Sequence, residues 1–351
     1  MDLTRFPRVA LTDGPTPIRS LDRLSTHLGP ELNGVRLFVK RDDIGPVGGG
    51  GNKLRKLEFL LGQALAERAD TVITVGALQS NHARLTAASA ARMGLACELF
   101  LTRSVPREDA DYTANGNRLL QDLFGARVHL LPGEADSLAQ AEARAEQLRA
   151  EGRRVYVFPS GGSSPLGCLG YAACAGEILE QTANLGLAFA RIVVPNGSSG
   201  THAGLAAGLT AAGRDPHLAQ SYTVLAPEPE ATAATLARAR ETLALIDGSQ
   251  TLSDDAIRVD GAHRGPGYGI PTEGMREAVR LMARTEGLLL DPVYSGKAFA
   301  GLLHDVRAGL YERGAAVLFV MTGGVPGLFA YRGEFLHGLP NGGHRLSEKA
   351  K

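Results

Sequence analysis

The 351-residue chain has no tryptophan, only three cysteines, and no excess of either charge. Each shortage excludes something. Lysine plus arginine and aspartate plus glutamate number 37 each, so nothing favours a nucleic-acid partner or an anionic membrane surface. Cys97, Cys168 and Cys174 form no Cys-x-x-Cys pair and have no companion histidine cluster, which argues against zinc. They read instead as small buried apolar residues. No apolar run approaches the roughly eighteen residues of a membrane helix, and Met1-Asp2-Leu3-Thr4-Arg5-Phe6 contains no leader-type apolar core. The expectation is a soluble, reduced, cytoplasmic protein, long enough for two domains with sizeable cores.

What the chain has in quantity is glycine, and the densest cluster is informative. Gly48-Gly49-Gly50-Gly51-Asn52-Lys53 leads into Leu54, Leu57, Leu61, Ala64 and Leu65, which recur at helical spacing. Glycines let backbone approach a ligand closely. A helix start supplies unpaired N–H groups and the positive end of the dipole, which depresses the pKa of a nearby ammonium. Lys53 is therefore a candidate amine nucleophile toward a carbonyl. A phosphate-binding P-loop does not fit, because Asn52 precedes the lysine and Leu54 follows it. A plain loop–helix junction with a solvated lysine accounts for the same residues taken alone.

The rest of the chain alternates short apolar runs with helical patterns. Strands are expected at 35–40, 71–76, 97–101, 128–131, 155–158, 192–195, 222–225 and 316–321. Helices are expected over 83–92, 117–123, 137–151, 171–181, 203–212, 230–244, 273–284 and 297–311. This grammar predicts βαβ units and an α/β fold with mostly parallel sheets. The tail from Gly333, rich in glycine, proline and charge, is expected to be loosely held.

Ligands of such sheets bind beyond the carboxyl ends of the strands. Five loops in that position are polar or glycine-rich: 76–82, 160–164, 196–202, 291–297 and 322–324. Asn196-Gly197-Ser198-Ser199-Gly200-Thr201 is the best anion cradle, with amides and hydroxyls before a helix. Its glycines stand three apart, so it is no dinucleotide fingerprint. Ser80 and Asn81 also read as helix caps, and His82 as a hydrogen-bonded structural histidine. Tyr268 and Tyr294 read equally as packing aromatics, and Thr322 as a turn cap.

Taken together the motifs are more specific than any one. Gly50-Gly51-Asn52-Lys53-Leu54-Arg55-Lys56-Leu57-Glu58, Gln79-Ser80-Asn81-His82, Gly197-Ser198-Ser199-Gly200-Thr201, Gly267-Tyr268-Gly269, Asp291-Pro292-Val293-Tyr294-Ser295-Gly296-Lys297 and Thr322-Gly323-Gly324 run in this order. The set resembles the D-cysteine desulfhydrase / 1-aminocyclopropane-1-carboxylate deaminase family, and the resemblance covers about residues 3 to 332. It implies a fold-type II, tryptophan synthase β-like architecture of two open, twisted, mostly parallel sheets flanked by helices. Residues 1–53 and 162–351 would form the larger domain and 54–161 a smaller inserted one. It also implies pyridoxal 5′-phosphate, a small amino-acid substrate and a homodimer.

By the same resemblance Lys53 holds the cofactor covalently, Asn81 bonds its ring oxygen, and Lys56 with Gly197, Ser198, Ser199, Gly200 and Thr201 holds its phosphate. Ser80 and its neighbours Asn81 and His82 receive the substrate carboxylate, Tyr294 stacks on the ring, and Tyr268 reaches the substrate. Ser295 and Thr322 stand where the deaminase pattern has glutamate and leucine. That difference resembles D-cysteine desulfhydrase and the related L-cysteate sulfo-lyase. A hydroxyl facing the ring nitrogen cannot hold it protonated as a carboxylate can. The expected reaction is α,β-elimination, with D-cysteine going to pyruvate, hydrogen sulfide and ammonia. The alternatives are L-cysteate with sulfite as leaving group, served by His82 or Arg84, the cyclopropane deaminase, a racemase, and a catalytically silent small-molecule binder.

Overall fold

The computed structural model describes residues 1–336. Ten strands form two sheets. In chain order they are β1 (Ile18–Ser20), β2 (Arg36–Lys40), β3 (Thr71–Ala77), β4 (Ala96–Thr102), β5 (Arg127–Leu131), β6 (Val155–Phe158), β7 (Phe189–Asn196), β8 (Ala219–Thr223), β9 (Arg258–Asp260) and β10 (Ala316–Val320). The six-stranded sheet runs β1-β2-β10-β7-β8-β9, antiparallel only at β1–β2. The four-stranded sheet runs β5-β4-β3-β6 and is parallel throughout.

Apolar runs become parallel strands here because helices cover both sheet faces, so successive side chains are buried on alternate sides. In β10, Val317 and Phe319 pack with Met275, Phe299 and Leu302 of two helices on one face. Ala316, Leu318 and Val320 pack with Tyr171, Ile178 and Leu205 on the other. The smaller sheet is covered likewise: Val72 and Leu99 meet Leu57, Leu61 and Leu85, while Ile73, Val75 and Phe100 meet Ala141, Ala145 and Leu148. All three cysteines are free and buried. Among the described residues, no helix is long and apolar enough to cross a membrane.

Several expected boundaries move, for local reasons. The helix expected over 171–181 spans Pro165–Leu185, with Pro165 in its first turn. The Ser164 hydroxyl accepts from Gly167 N–H at 3.2 Å to cap its start, and left-handed Gly186 ends it. The strand expected at 222–225 is Ala219–Thr223, and Leu225 lies exposed beyond the sheet. A short helix, Asp22–Leu28, has no side-chain cap and was not anticipated. Gly333 and Glu334 close a 3-10 turn, Glu334 pairs with Arg107 and Arg276, and Phe335 packs against the core; the rest of the tail expected to be loosely held, 337–351, lies outside the described residues.

Behind the helix that Lys53 opens is a buried ionic network. Arg55 donates to Asp42 through Nε at 2.8 Å and Nη2 at 2.9 Å, and to Glu177 through Nη1 at 2.8 Å. Thr16 and Tyr171 hydroxyls donate to Asp42, each at 2.6 Å, and Lys40 pairs with Glu177. Burial pushes the Asp42 carboxyl up, yet Arg55 outweighs it and holds the group below its usual range. Removing one partner strands the other charge in the core. Asp42→Ala is expected to cost roughly 3–5 kcal/mol in urea denaturation; a loss below about 1 kcal/mol would show that the network contributes little.

Candidate active site

The strand ends and loops build one cleft between the two sheets. Its wall includes Asn52 and Lys53, the turn after β3 from Gly76 to His82, Ser160 and Gly161 after β6, Asn196–Thr201 after β7, Thr322 after β10, and Tyr268 and Tyr294. Five loops singled out in the sequence thus converge, each contributing at least one residue to the wall or to its support.

Lys53 is the first residue of the Lys53–Ala66 helix, and tight backbone turns place it. At Gly50, with φ of +73°, a Cβ would fall 2.3 Å from the Asp43 carbonyl oxygen. No other residue fits there. Asn52 N–H donates to the Thr322 carbonyl at 3.1 Å, tying the loop to the end of β10. Burial drives the Lys53 amine well below its ordinary pKa and the neighbouring Lys56 charge adds to this, while Asp291 opposes both.

Lys56 lies one turn further on, beneath the cleft wall. Its ammonium donates to the Ser163 hydroxyl at 2.9 Å and the Gly161 carbonyl at 3.2 Å, and burial lowers its pKa to about 8. Immediately above it runs the 196–201 loop. Asn196 shapes this loop by accepting from Ser199 N–H at 3.1 Å while donating to Ser221 and Thr235, each at 3.0 Å. Ser199 takes a φ of +64°, unusual for a residue with a side chain. A helix then begins at Gly200, three residues earlier than the sequence pattern indicates. The Ser198 hydroxyl meets that of Ser163 at 2.8 Å, and Thr201 accepts from Asn52 at 3.1 Å.

On the opposite side, the Ser80 hydroxyl caps the Asn81–Met93 helix by accepting from Ala83 N–H at 3.1 Å. Capping and lining are both true of it, since Ser80 also faces the cleft. The His82 Nε2 lies 2.9 Å from the Thr74 hydroxyl, which donates to the Phe158 carbonyl at 3.1 Å. This assigns the proton to Nε2 and leaves Nδ1 an acceptor, buried and without a protein partner. Burial holds the imidazole well below its usual pKa, reinforced by Lys53 and Lys56, so it is neutral. The Tyr268 and Tyr294 hydroxyls bond each other, and burial raises both pKa values, so both stay protonated.

Two expectations need correcting. Ser295 is fully buried and is not part of the cleft wall. Its hydroxyl accepts from Asp291 N–H at 2.8 Å and donates to Asp291 Oδ1 at 2.7 Å, so it has no hydrogen left for a ring nitrogen or a substrate. Of the two hydroxyls, Thr322 alone lines the cleft. Arg84, considered as a donor to a sulfonate, is wholly buried behind Asn81. Wall residues outside the loops and motifs singled out in the sequence include Thr102, Ser104 and Ser137. Single hydroxyls at the end of a strand, in a loop or at a helix start carry no pattern that would have marked them.

The family model for pyridoxal-phosphate dependent enzymes matches residues 9–323, and the chain belongs to that family. It is 44% identical over 332 residues to D-cysteine desulfhydrase of Salmonella typhi, covering 94% of this chain and 97% of the relative. The enzyme of the same name from Salmonella choleraesuis (strain SC-B67) gives the same figures. Among solved structures, an ACC deaminase homologue superposes with a TM-score of 0.82 at 38% identity, covering 95% of this chain and 96% of the other. O-ureido-L-serine synthase, at 20% identity and a TM-score of 0.61 over 92% and 94% of the two chains, shares the fold.

The cofactor of the family is pyridoxal 5′-phosphate, and the cleft fits it. A lysine of lowered pKa lines the wall, and an anion cradle lies beside it. The cradle is closed to larger residues: a Cβ at Gly200 would lie 2.6 Å from Lys56 Nζ and 2.5 Å from the Ser163 hydroxyl. Gly200→Ala is therefore expected to weaken pyridoxal 5′-phosphate binding about tenfold or more, equivalent to about 1.4 kcal/mol, in a visible-absorbance titration. Unchanged affinity would place the phosphate elsewhere.

Proposed function

We propose that this cleft catalyses α,β-elimination on D-cysteine, taking up water and releasing pyruvate, hydrogen sulfide and ammonia. The reading rests on the near full-length similarity to the Salmonella D-cysteine desulfhydrases. One structural observation carries it further: among the described residues, no arginine, aspartate or glutamate side chain lines the cleft. With His82 neutral, Lys53 is, among the described residues, the one wall side chain able to carry a positive charge.

That wall separates the rivals. L-Cysteate brings a sulfonate that needs a second counter-charge, and among the described residues the wall offers none. The deaminase pattern puts a carboxylate at the ring nitrogen, and here the nearby wall residue is Thr322. A silent binder has no use for a lysine whose pKa is driven well below its ordinary value.

In this reading Lys53 bonds the cofactor covalently, and Lys56 with Gly197, Ser198, Ser199, Gly200 and Thr201 holds the phosphate. Asn81 meets the ring oxygen, Thr322 faces the ring nitrogen and Tyr294 packs on the ring. The cofactor supplies an electron sink for negative charge at the substrate Cα. The chain does the rest. The helix start at Ser80, Asn81 and His82 receives the substrate carboxylate on its amides. The Lys53 amine, set free when the substrate amine takes its place and with its pKa lowered by burial, takes the Cα proton. Tyr268, protonated and paired with Tyr294, reaches the substrate side and has a proton to give to the departing thiolate. The assembly is a cytoplasmic homodimer, with residues 54–161 as the smaller domain and 1–53 with 162–351 as the larger. The four-stranded sheet, which falls wholly within 71–158, supports that division, and three free buried cysteines fit a reducing compartment.

Incubating the purified protein separately with D-cysteine, L-cysteine, L-cysteate and 1-aminocyclopropane-1-carboxylate tests the assignment. Pyruvate with sulfide is expected from D-cysteine, and neither sulfite from L-cysteate nor 2-oxobutanoate from the cyclopropane. Turnover of L-cysteate alone would contradict the reading. Lys53→Ala should keep the wild-type melting profile and lose at least about a thousandfold in turnover; full activity would remove Lys53 from the mechanism.

A further inference from the structure

Arg84 is the most unusual cation of the core. It is 0% exposed, yet among the described residues no carboxylate lies within ion-pair distance. Buried charges are normally paired. Its guanidinium is spent on three neutral acceptors from three segments: Asn117 Oδ1 at 2.9 Å, Asn81 Oδ1 at 3.3 Å and the Gly50 carbonyl at 2.7 Å. Its Nε has no protein partner.

The chemistry of these contacts orients Asn81. A guanidinium only donates, so the atoms that it faces on Asn81 and Asn117 are oxygens. The Asn117 amide nitrogen then donates to the Gln79 carbonyl and to Asn81 Oδ1, each at 2.9 Å. Asn81 Oδ1 accepts twice from the core, so its NH2 group is the end left for the cleft, whose wall it joins. The same guanidinium grips the glycine loop three residues before Lys53. We propose that Arg84 is a positioning residue that turns the Asn81 carboxamide into a fixed donor, backed by a positive charge with no ion-pair partner among the described residues, for the oxygen of the cofactor ring. Burial lowers the Arg84 pKa to about 10, so the group remains charged at neutral pH.

The proposal rests on the reading of Asn81 as the ring-oxygen partner, and the test separates the two. Calorimetry on the cofactor-free protein would compare pyridoxal 5′-phosphate with its 3-deoxy analogue, which lacks that oxygen. The wild-type protein should prefer the natural compound about tenfold or more, as a charge-assisted bond implies. No preference in the wild type would overturn both ideas. Arg84→Met should cut the preference to about threefold or less while affinity for the analogue changes little. Arg84→Lys, which keeps the charge but cannot span three acceptors, should fall between. A folded variant of either kind with the wild-type preference would overturn the role of Arg84 alone. Failure of both variants to fold would make Arg84 a residue of the core and overturn the role as well.

Discussion

Desolvation of the Lys53 amine is the constraint on which the rest of the site depends. An ammonium loses most of its stabilisation when water is removed, and a second cation nearby makes the charged form costlier still. Lys53 meets both conditions, through its burial and through Lys56 one helical turn away. Such an amine is far more available as a nucleophile or a base than a solvated lysine is. Asp291 tempers the effect without pairing with it. Its carboxylate is taken up by the Val293, Tyr294 and Ser295 N–H groups and the Ser295 hydroxyl, at 2.7 to 3.0 Å.

The fold supplies this environment cheaply because everything arrives at strand ends. Two parallel sheets present their carboxyl edges to one cleft, and each loop there is free to specialise. The glycines before Lys53 and the Asn196-shaped turn at Ser199 hold conformations that ordinary residues resist. The stability that offsets such strain comes from elsewhere. The Arg55–Asp42–Glu177 network and the helices packed on both faces of each sheet fix the helix that Lys53 opens. Arg84 and Asn117 extend the same logic across the cleft, linking the lysine loop to Asn81.

Much of this was legible in the chain because the chemistry demands unusual residues in local order. Four glycines before a lysine, or Gly-Ser-Ser-Gly-Thr after a strand, can be recognised without coordinates. What was not legible depends on distant contacts. Ser295 and Thr322 are both hydroxyls beside glycine motifs, and only the turn built on Asp291 shows that Ser295 is already engaged. Arg84 looked like a donor for substrate; the partner that turns it inward, Asn117, is 33 residues away. The Asp22–Leu28 helix escaped notice because it is short and lacks a capping side chain. The helix at Gly200 starts early because its first turn is made of loop-like residues whose helical geometry is imposed by Asn196 and by packing beneath.

The pKa of Lys53 itself is the most direct measure of the account. Reductive methylation with carbon-13 formaldehyde, followed by a nuclear magnetic resonance pH titration of the cofactor-free protein, would resolve it, with Lys53→Ala identifying the signal. The expected result is a midpoint well below the ordinary 10.5. A Lys53 signal titrating at the ordinary 10.5 would contradict it, and would mean that the cleft does not lower the pKa of its amine.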